Sequence, residues 1–235
     1  MFRTLFFLLT FVPWTLFVIF TGVPLSLFGA DYLHAYARIW GRVSLWLAGV
    51  RLTVTGREHL SQHGPVVYMA NHVSNFDILA LFAGIPGQFR WMAKIELFRI
   101  PLFGLAMRRA GAIAVDRSNR RNSVLSMREA VKRIADGTSV VIFPEGTRSK
   151  DGTLQPFKTG SFTLALQAQV PVVPLAICGS GEVMPKHSRW IRGGHIYLNI
   201  LPPAATAGRP VAERAELMEE VRQPIVATLK KAGQA

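Results

Sequence analysis

Apolar residues in this chain come in short uniform runs, and most of them stop at a polar or charged residue. Val66-Val67-Tyr68, Phe89 to Ala93, Ala112 to Val115, Ser139 to Phe143, Val172 to Ala176 and His195 to Leu201 predict buried strands. Arg51 to Gly56 alternates like an opening strand. Between the runs, three- and four-residue spacing predicts helices: one from Phe76, one over 122–136 with Val124, Met127, Val131 and Ile134 inward, then 160–167 and 212–231. Prolines qualify this pattern. Pro101 interrupts a short helical piece over 95–109, Pro174 marks an edge-type strand, and Pro224 is expected to bend or divide the last helix. Strands alternating with helices predict an α/β fold, with a central, largely parallel or mixed sheet flanked by helices.

The first fifty residues follow another pattern. No charge occurs between Arg3 and Asp31, a stretch long enough to enter or cross a bilayer. A cleaved signal peptide fits poorly, because Phe28 stands where a small residue is wanted and the apolar run is long for such a segment. Pro13 and Gly22-Val23-Pro24 predict breaks, and a second apolar stretch runs from Tyr32 to Val50. Arg3, Arg38, Arg42 and Arg51 flank both stretches and favour translocation of neither end. The expectation is a membrane-embedded helical hairpin over 1–50, dipping into one leaflet or making two short spans. A second domain over 51–235 then faces the cytoplasm.

The chain has 235 residues and a formal net charge of +13, of which +2 falls in residues 1–50 and +11 in the rest. So basic a chain expects anionic company, lipid headgroups or nucleic acid. Basic residues interleaved with apolar ones, as in Phe98-Arg99-Ile100-Pro101-Leu102-Phe103, favour lipid, and no zinc-finger, RNA-recognition or helix-turn-helix pattern favours nucleic acid. Cys178 is the lone cysteine, so no intrachain disulfide forms, and its apolar neighbours predict a buried thiol. His59 and His63 are four apart but lack a third ligand, which predicts surface residues and no metal. There is no phosphate-binding Gly-x-x-x-x-Gly-Lys loop and no Gly-x-Ser-x-Gly elbow, and Gly179-Ser180-Gly181 lacks the third glycine of a dinucleotide fingerprint.

Candidate chemistry gathers where strands end. His72 stands on the predicted turn after Val66-Val67-Tyr68, and Asp77 falls at the start of the next helix. Such a turn lets the carboxylate reach a ring nitrogen, and an imidazole so held is a general base for a hydroxyl. The local stretch admits equally a histidine that caps the helix beside a solvated Asp77. Asp116-Arg117 and Glu145-Gly146-Thr147-Arg148 close two other strands, and a parallel sheet would bring all three to one edge. Arginines from two strand ends make a phosphate clamp, Gly146 allows close backbone approach, Thr147 adds a donor, and Glu145, expected ionised, would hold an arginine. Lys94, at the end of its strand, is either an anion ligand or a solvated rim cation.

Four ordered blocks carry a resemblance: Asn71-His72 with Asp77, Gly111 through Val115-Asp116-Arg117, Phe143-Pro144-Glu145-Gly146-Thr147-Arg148-Ser149, and Val172-Val173-Pro174-Leu175. Together they resemble the glycerolipid acyltransferase family, and in particular its bacterial 1-acyl-sn-glycerol-3-phosphate acyltransferases. The resemblance implies a transferase that moves an acyl chain from coenzyme A or acyl carrier protein to the sn-2 hydroxyl of lysophosphatidic acid, making phosphatidic acid without a cofactor. It implies His72 as base, Asp77 as its partner, and Arg117, Glu145, Gly146 and Arg148 around the glycerol phosphate, with Asn71 and Thr147 in the same blocks. It also implies an inner-membrane location, with the amino-terminal helices guiding lipid to the sheet edge. Acylation of another lysophospholipid or a lyso-aminolipid keeps the same chemistry. A non-catalytic binder of anionic lipid or nucleic acid is the reading from a different class.

Overall fold

The computed structural model describes residues 2–60, 64–116 and 118–234. Seven strands form one sheet: β1 (Val50–Thr55), β2 (Val67–Ala70), β3 (Arg90–Lys94), β4 (Ile113–Val115), β5 (Val140–Ile142), β6 (Val172–Cys178) and β7 (Gly194–Ile200). Their spatial order is β1-β7-β6-β2-β5-β3-β4, parallel throughout except where β6 meets β7 antiparallel. The sheet is therefore mixed. The C-terminal ends of β2 to β6 and the starts of β1 and β7 share one edge.

Helices cover both faces, which is why the inner strands β2, β5 and β6 are apolar on every residue instead of alternating with polar ones. On one face lie α1 (Phe2–Leu25), α2 (Ala30–Leu47) and α3 (Phe76–Gly84). They pack with Tyr68, Ala70, Val141, Val173, Leu175 and Ile177. On the other lie α5 (Arg120–Ala135), α6 (Thr159–Ala168) and α8 (Arg214–Lys231), against Val67, Met69, Val140, Ile142, Val172 and Ala176. Short α4 (Phe103–Arg109) and α7 (Ser180–Val183) connect strands. Leu217, Val221, Ile225 and Leu229, spaced by four, are the buried stripe of α8, each worth roughly 1.5–3 kcal/mol. Cys178 is buried in the same layer.

Three proline expectations change. Helix α8 runs through Pro224 undivided, its packed stripe continuing on both sides. Strand β6 is interior, not an edge: the Pro174 carbonyl accepts the Leu201 N–H at 3.0 Å just past the β6/β7 ladder, where a missing donor breaks no rung. Helix α1 runs through Pro13, held on either side by contacts with α2, since Phe11 packs on Trp40 and the Trp40 indole donates to Thr15 Oγ1 at 3.0 Å. In α5, which starts at Arg120 under an Asn119 cap, Met127, Val131 and Ile134 face the core as expected and Ala130 joins them, while Val124 lies exposed.

The two amino-terminal helices have different fates. Only Phe2–Phe28 is long and apolar enough to cross a bilayer among the described residues, and Leu5, Phe6, Leu9, Val12, Phe17 and Phe20 face outward from it. Helix α2 instead packs on α3. At their crossing a Cβ on Gly41 would stand 2.9 Å from the Leu79 carbonyl and 3.0 Å from the Phe82 Cβ, so only glycine permits the approach. One side of the second apolar stretch is thus packed against the α/β body, while Tyr32, Ile39 and Trp46 on α2 stay exposed.

Candidate active site

Strand β2 ends in a turn built by side chains standing in for backbone. Asn71 Oδ1 accepts the Ile177 N–H at 2.7 Å and its Nδ2 donates to the Ile177 carbonyl at 2.9 Å, extending the β2/β6 pairing by one residue. Its amide oxygen and one of its two amide protons are thus engaged within the sheet. His72 comes next, its N–H donating to Glu145 Oε1 at 2.5 Å and its carbonyl accepting the Ser149 N–H at 2.8 Å. Ser74 closes the turn, accepting the Phe76 N–H at 3.2 Å and donating to the Met184 carbonyl at 2.8 Å.

Asp77 is completely buried, so the solvated alternative does not hold. Its Oδ2 accepts the N–H groups of Val73 (2.8 Å) and Ser74 (2.9 Å) and lies 2.8 Å from His72 Nδ1. It sits in the first turn of α3, where the helix dipole favours negative charge. An acceptor at Nδ1 places the ring proton there and leaves the Nε2 lone pair outward. The imidazole is held by stacking as well: its ring centre lies 3.8 Å from that of Phe143, the planes nearly parallel at 7°, and Phe143 leans on Trp91. In the sequence Phe143 was the last residue of an apolar run and the first of a block, with nothing to mark it as a partner of the imidazole.

Glu145 does not hold an arginine among the described residues. Its second oxygen accepts the Gln155 N–H at 2.9 Å, so the carboxyl ties the β5 turn to the β2 turn. Burial pushes its pKa up to about 7, against the two backbone donors that favour the anion, with nearby Asp77 adding upward pressure. In the unfolded chain the ordinary value is 4.5. Between these values the folded protein holds a proton that the unfolded chain has released, so this group's contribution to stability falls as pH rises. Glu145→Gln should remove that fall. The stability gap between wild type and variant should change by about 3 kcal/mol from pH 4.5 to 8 in denaturant unfolding, and parallel curves would refute it.

Around this pair, Gly146 adopts φ 73°, a left-handed conformation that suits glycine and turns the chain back over the strand. Thr147 and Lys94 are exposed, Lys94 at the end of β3 on the same edge. Arg148 is half-buried, with no carboxylate partner among the described residues. Arg117 and His63 lie outside the described residues. The adjoining Asp116 accepts from Ser118 and Asn122, contacts that lower its pKa. The described residues contain no cluster able to hold a metal ion. The arrangement is a carboxylate-oriented imidazole on an open sheet edge beside a turn that carries an unpaired arginine.

The Acyltransferase family profile matches residues 51–178, more than half of the chain. A chloroplastic 1-acyl-sn-glycerol-3-phosphate acyltransferase of Brassica napus is 36% identical over 73% of this chain and 51% of its own length. The human alpha enzyme of that name is 33% identical over 79% of this chain and 66% of its own. The chain thus spans about half to two-thirds of these relatives. One from Borreliella burgdorferi is 30% identical over 80% of this chain and 76% of its own length. The crystal structure of the acyltransferase PlsC from Thermotoga maritima superposes with a TM-score of 0.80 at 26% identity, covering 96% of this chain and 94% of that one. Domain match, relatives and superposed structure agree, and this chain belongs to the acyltransferase family.

Proposed function

We propose that the protein transfers an acyl chain from a thioester, on coenzyme A or acyl carrier protein, to the sn-2 hydroxyl of lysophosphatidic acid, giving phosphatidic acid. The observation that carries this reading is the 2.8 Å contact between His72 Nδ1 and buried Asp77, with no protein partner for Nε2 among the described residues. Nε2 takes the hydroxyl proton as the oxygen attacks the thioester carbonyl. The tetrahedral intermediate then collapses, expelling the thiolate, which takes the proton from the imidazolium. A thioester is already activated, so the route needs no covalent enzyme intermediate. The named activity of the relatives supports the choice of acceptor.

Arg148, Lys94 and Arg117 supply cations for the acceptor phosphate, and Gly146 leaves room for it. The outward apolar side of α1 suits a bilayer of the inner membrane, with the sheet edge at its cytoplasmic face. In this reading residues 1–50 are the membrane-associated segment and 51–235 the catalytic domain, with α2 as the joint between them.

Thiol release by the full chain in detergent, from acyl-coenzyme A or acyl carrier protein with a panel of lysolipids, tests the proposal. Release should depend on lysophosphatidate. No release with any donor or acceptor, together with salt-sensitive DNA binding, would overturn it. Arg148→Ala should raise the acceptor KM by roughly tenfold or more while kcat stays near wild type, because a phosphate is gripped alike in ground and transition states. A fall in kcat at unaltered KM would contradict that role.

A further inference from the structure

Lys186 lies outside all four blocks that mark the site in the sequence. It belongs to the segment between α7 and β7, residues 184–193, which carries Lys186, His187, Arg189 and Arg192 and no acidic residue. That segment is pinned along its length. The Met184 carbonyl accepts from Ser74 Oγ at 2.8 Å, and the Ile191 N–H donates to Thr4 Oγ1 at 2.9 Å. Between these two anchors, Lys186 Nζ donates to the Arg148 carbonyl at 2.5 Å. A long flexible side chain is thus fixed on the turn that carries Arg148, one turn away from His72.

The charges there do not balance. Lys186 is half-buried and makes no ion pair among the described residues, and neither does Arg148. Each nearby acid is occupied elsewhere. Glu145 accepts from His72 and Gln155, Asp77 from His72, Val73 and Ser74, Asp151 from Ser149 and Thr153, and Glu182 from Gln234. An ammonium has three protons, and the Arg148 carbonyl takes one. The Arg148 turn thus carries one half-buried cation of its own and holds a second against its backbone, a combination that attracts an anion.

We propose that Lys186 is a specificity residue for the acceptor's phosphate, binding the same anion as Arg148 and so favouring acceptors that carry it. This rests on the acyl-transfer reading above. Its backbone hydrogen bond aims the ammonium without neutralising it, leaving its charge and two of its protons for an anion.

The experiment compares the full chain with Lys186→Met and Lys186→Arg, using lysophosphatidate and monoacylglycerol of the same chain length as acceptors and one acyl thioester as donor. Binding of lysophosphatidate is measured alongside by calorimetry in detergent. Lys186→Met should raise KM and Kd for lysophosphatidate by roughly tenfold or more, with kcat little changed. Lys186→Arg should restore most of the loss, and turnover of monoacylglycerol should be unaffected. Equal losses on both acceptors, or unchanged lysophosphatidate affinity in Lys186→Met, would overturn the proposal while leaving acyl transfer intact. If the wild type acylates neither acceptor the acyl-transfer reading falls, and the calorimetric comparison still decides whether Lys186 grips the phosphate.

Discussion

His72→Ala is expected to lower kcat by roughly 10²- to 10⁴-fold, the range contributed by a positioned general base, with the acceptor KM nearly unaltered. The imidazole is placed by three independent holds: its backbone N–H on Glu145, its Nδ1 on Asp77, and its face on Phe143. Alanine keeps the first and loses the base. The Asp77 carboxylate retains the N–H groups of Val73 and Ser74, so the turn should stay folded. Thiol release at saturating lysophosphatidate measures the loss, and a melting curve close to wild type certifies the fold. Turnover within a few-fold of wild type would remove His72 from the chemistry.

The second large effect is at Asp77, where two substitutions separate structure from charge. Asp77→Ala strips the acceptor from two backbone N–H groups and the imidazole at once, all inside a fully buried turn. Each stranded donor costs about 1–3 kcal/mol, so stability and turnover should fall together. Asp77→Asn is milder in fold. Its amide oxygen can take the place of Oδ2 and accept all three donors, and its NH₂ then occupies the position of Oδ1, which has no partner. What is lost is the negative charge facing the imidazolium formed during attack. Turnover should drop by roughly 10²-fold or more in a protein that still folds, and adding Asp77→Asn to His72→Ala should cost little further. Asp77→Asn with wild-type kcat would show that the carboxylate only orients the turn.

The chain's own order of residues determined a good deal. Uniform apolar runs ending in polar groups were sufficient for an α/β sheet with helices on both faces, because strands buried on both sides leave that signature. His72 on a turn before a helix, and Asp77 in its first turn, were legible because their relation is local: five residues and one change of backbone direction separate them. The apolar segment from Phe2 was equally plain, since length and absence of charge are properties of one helix.

The tertiary structure alone decided what depends on neighbours distant in the chain. Glu145 reaches His72 across 73 residues because β5 lies beside β2, and no spacing rule anticipates that its partners are backbone N–H groups instead of an arginine. Proline warnings at Pro13, Pro174 and Pro224 were local costs that packing outweighed. The stretch from Tyr32 was legible as apolar but not what one side of it packs on, which α3 decides, since hydropathy does not distinguish lipid from protein as the apolar partner. Phe143 beneath the imidazole and Lys186 on the Arg148 turn follow from strand order and a returning loop. Local pattern sets which segments bury their faces, and only the assembled sheet sets which side chains meet at its edge.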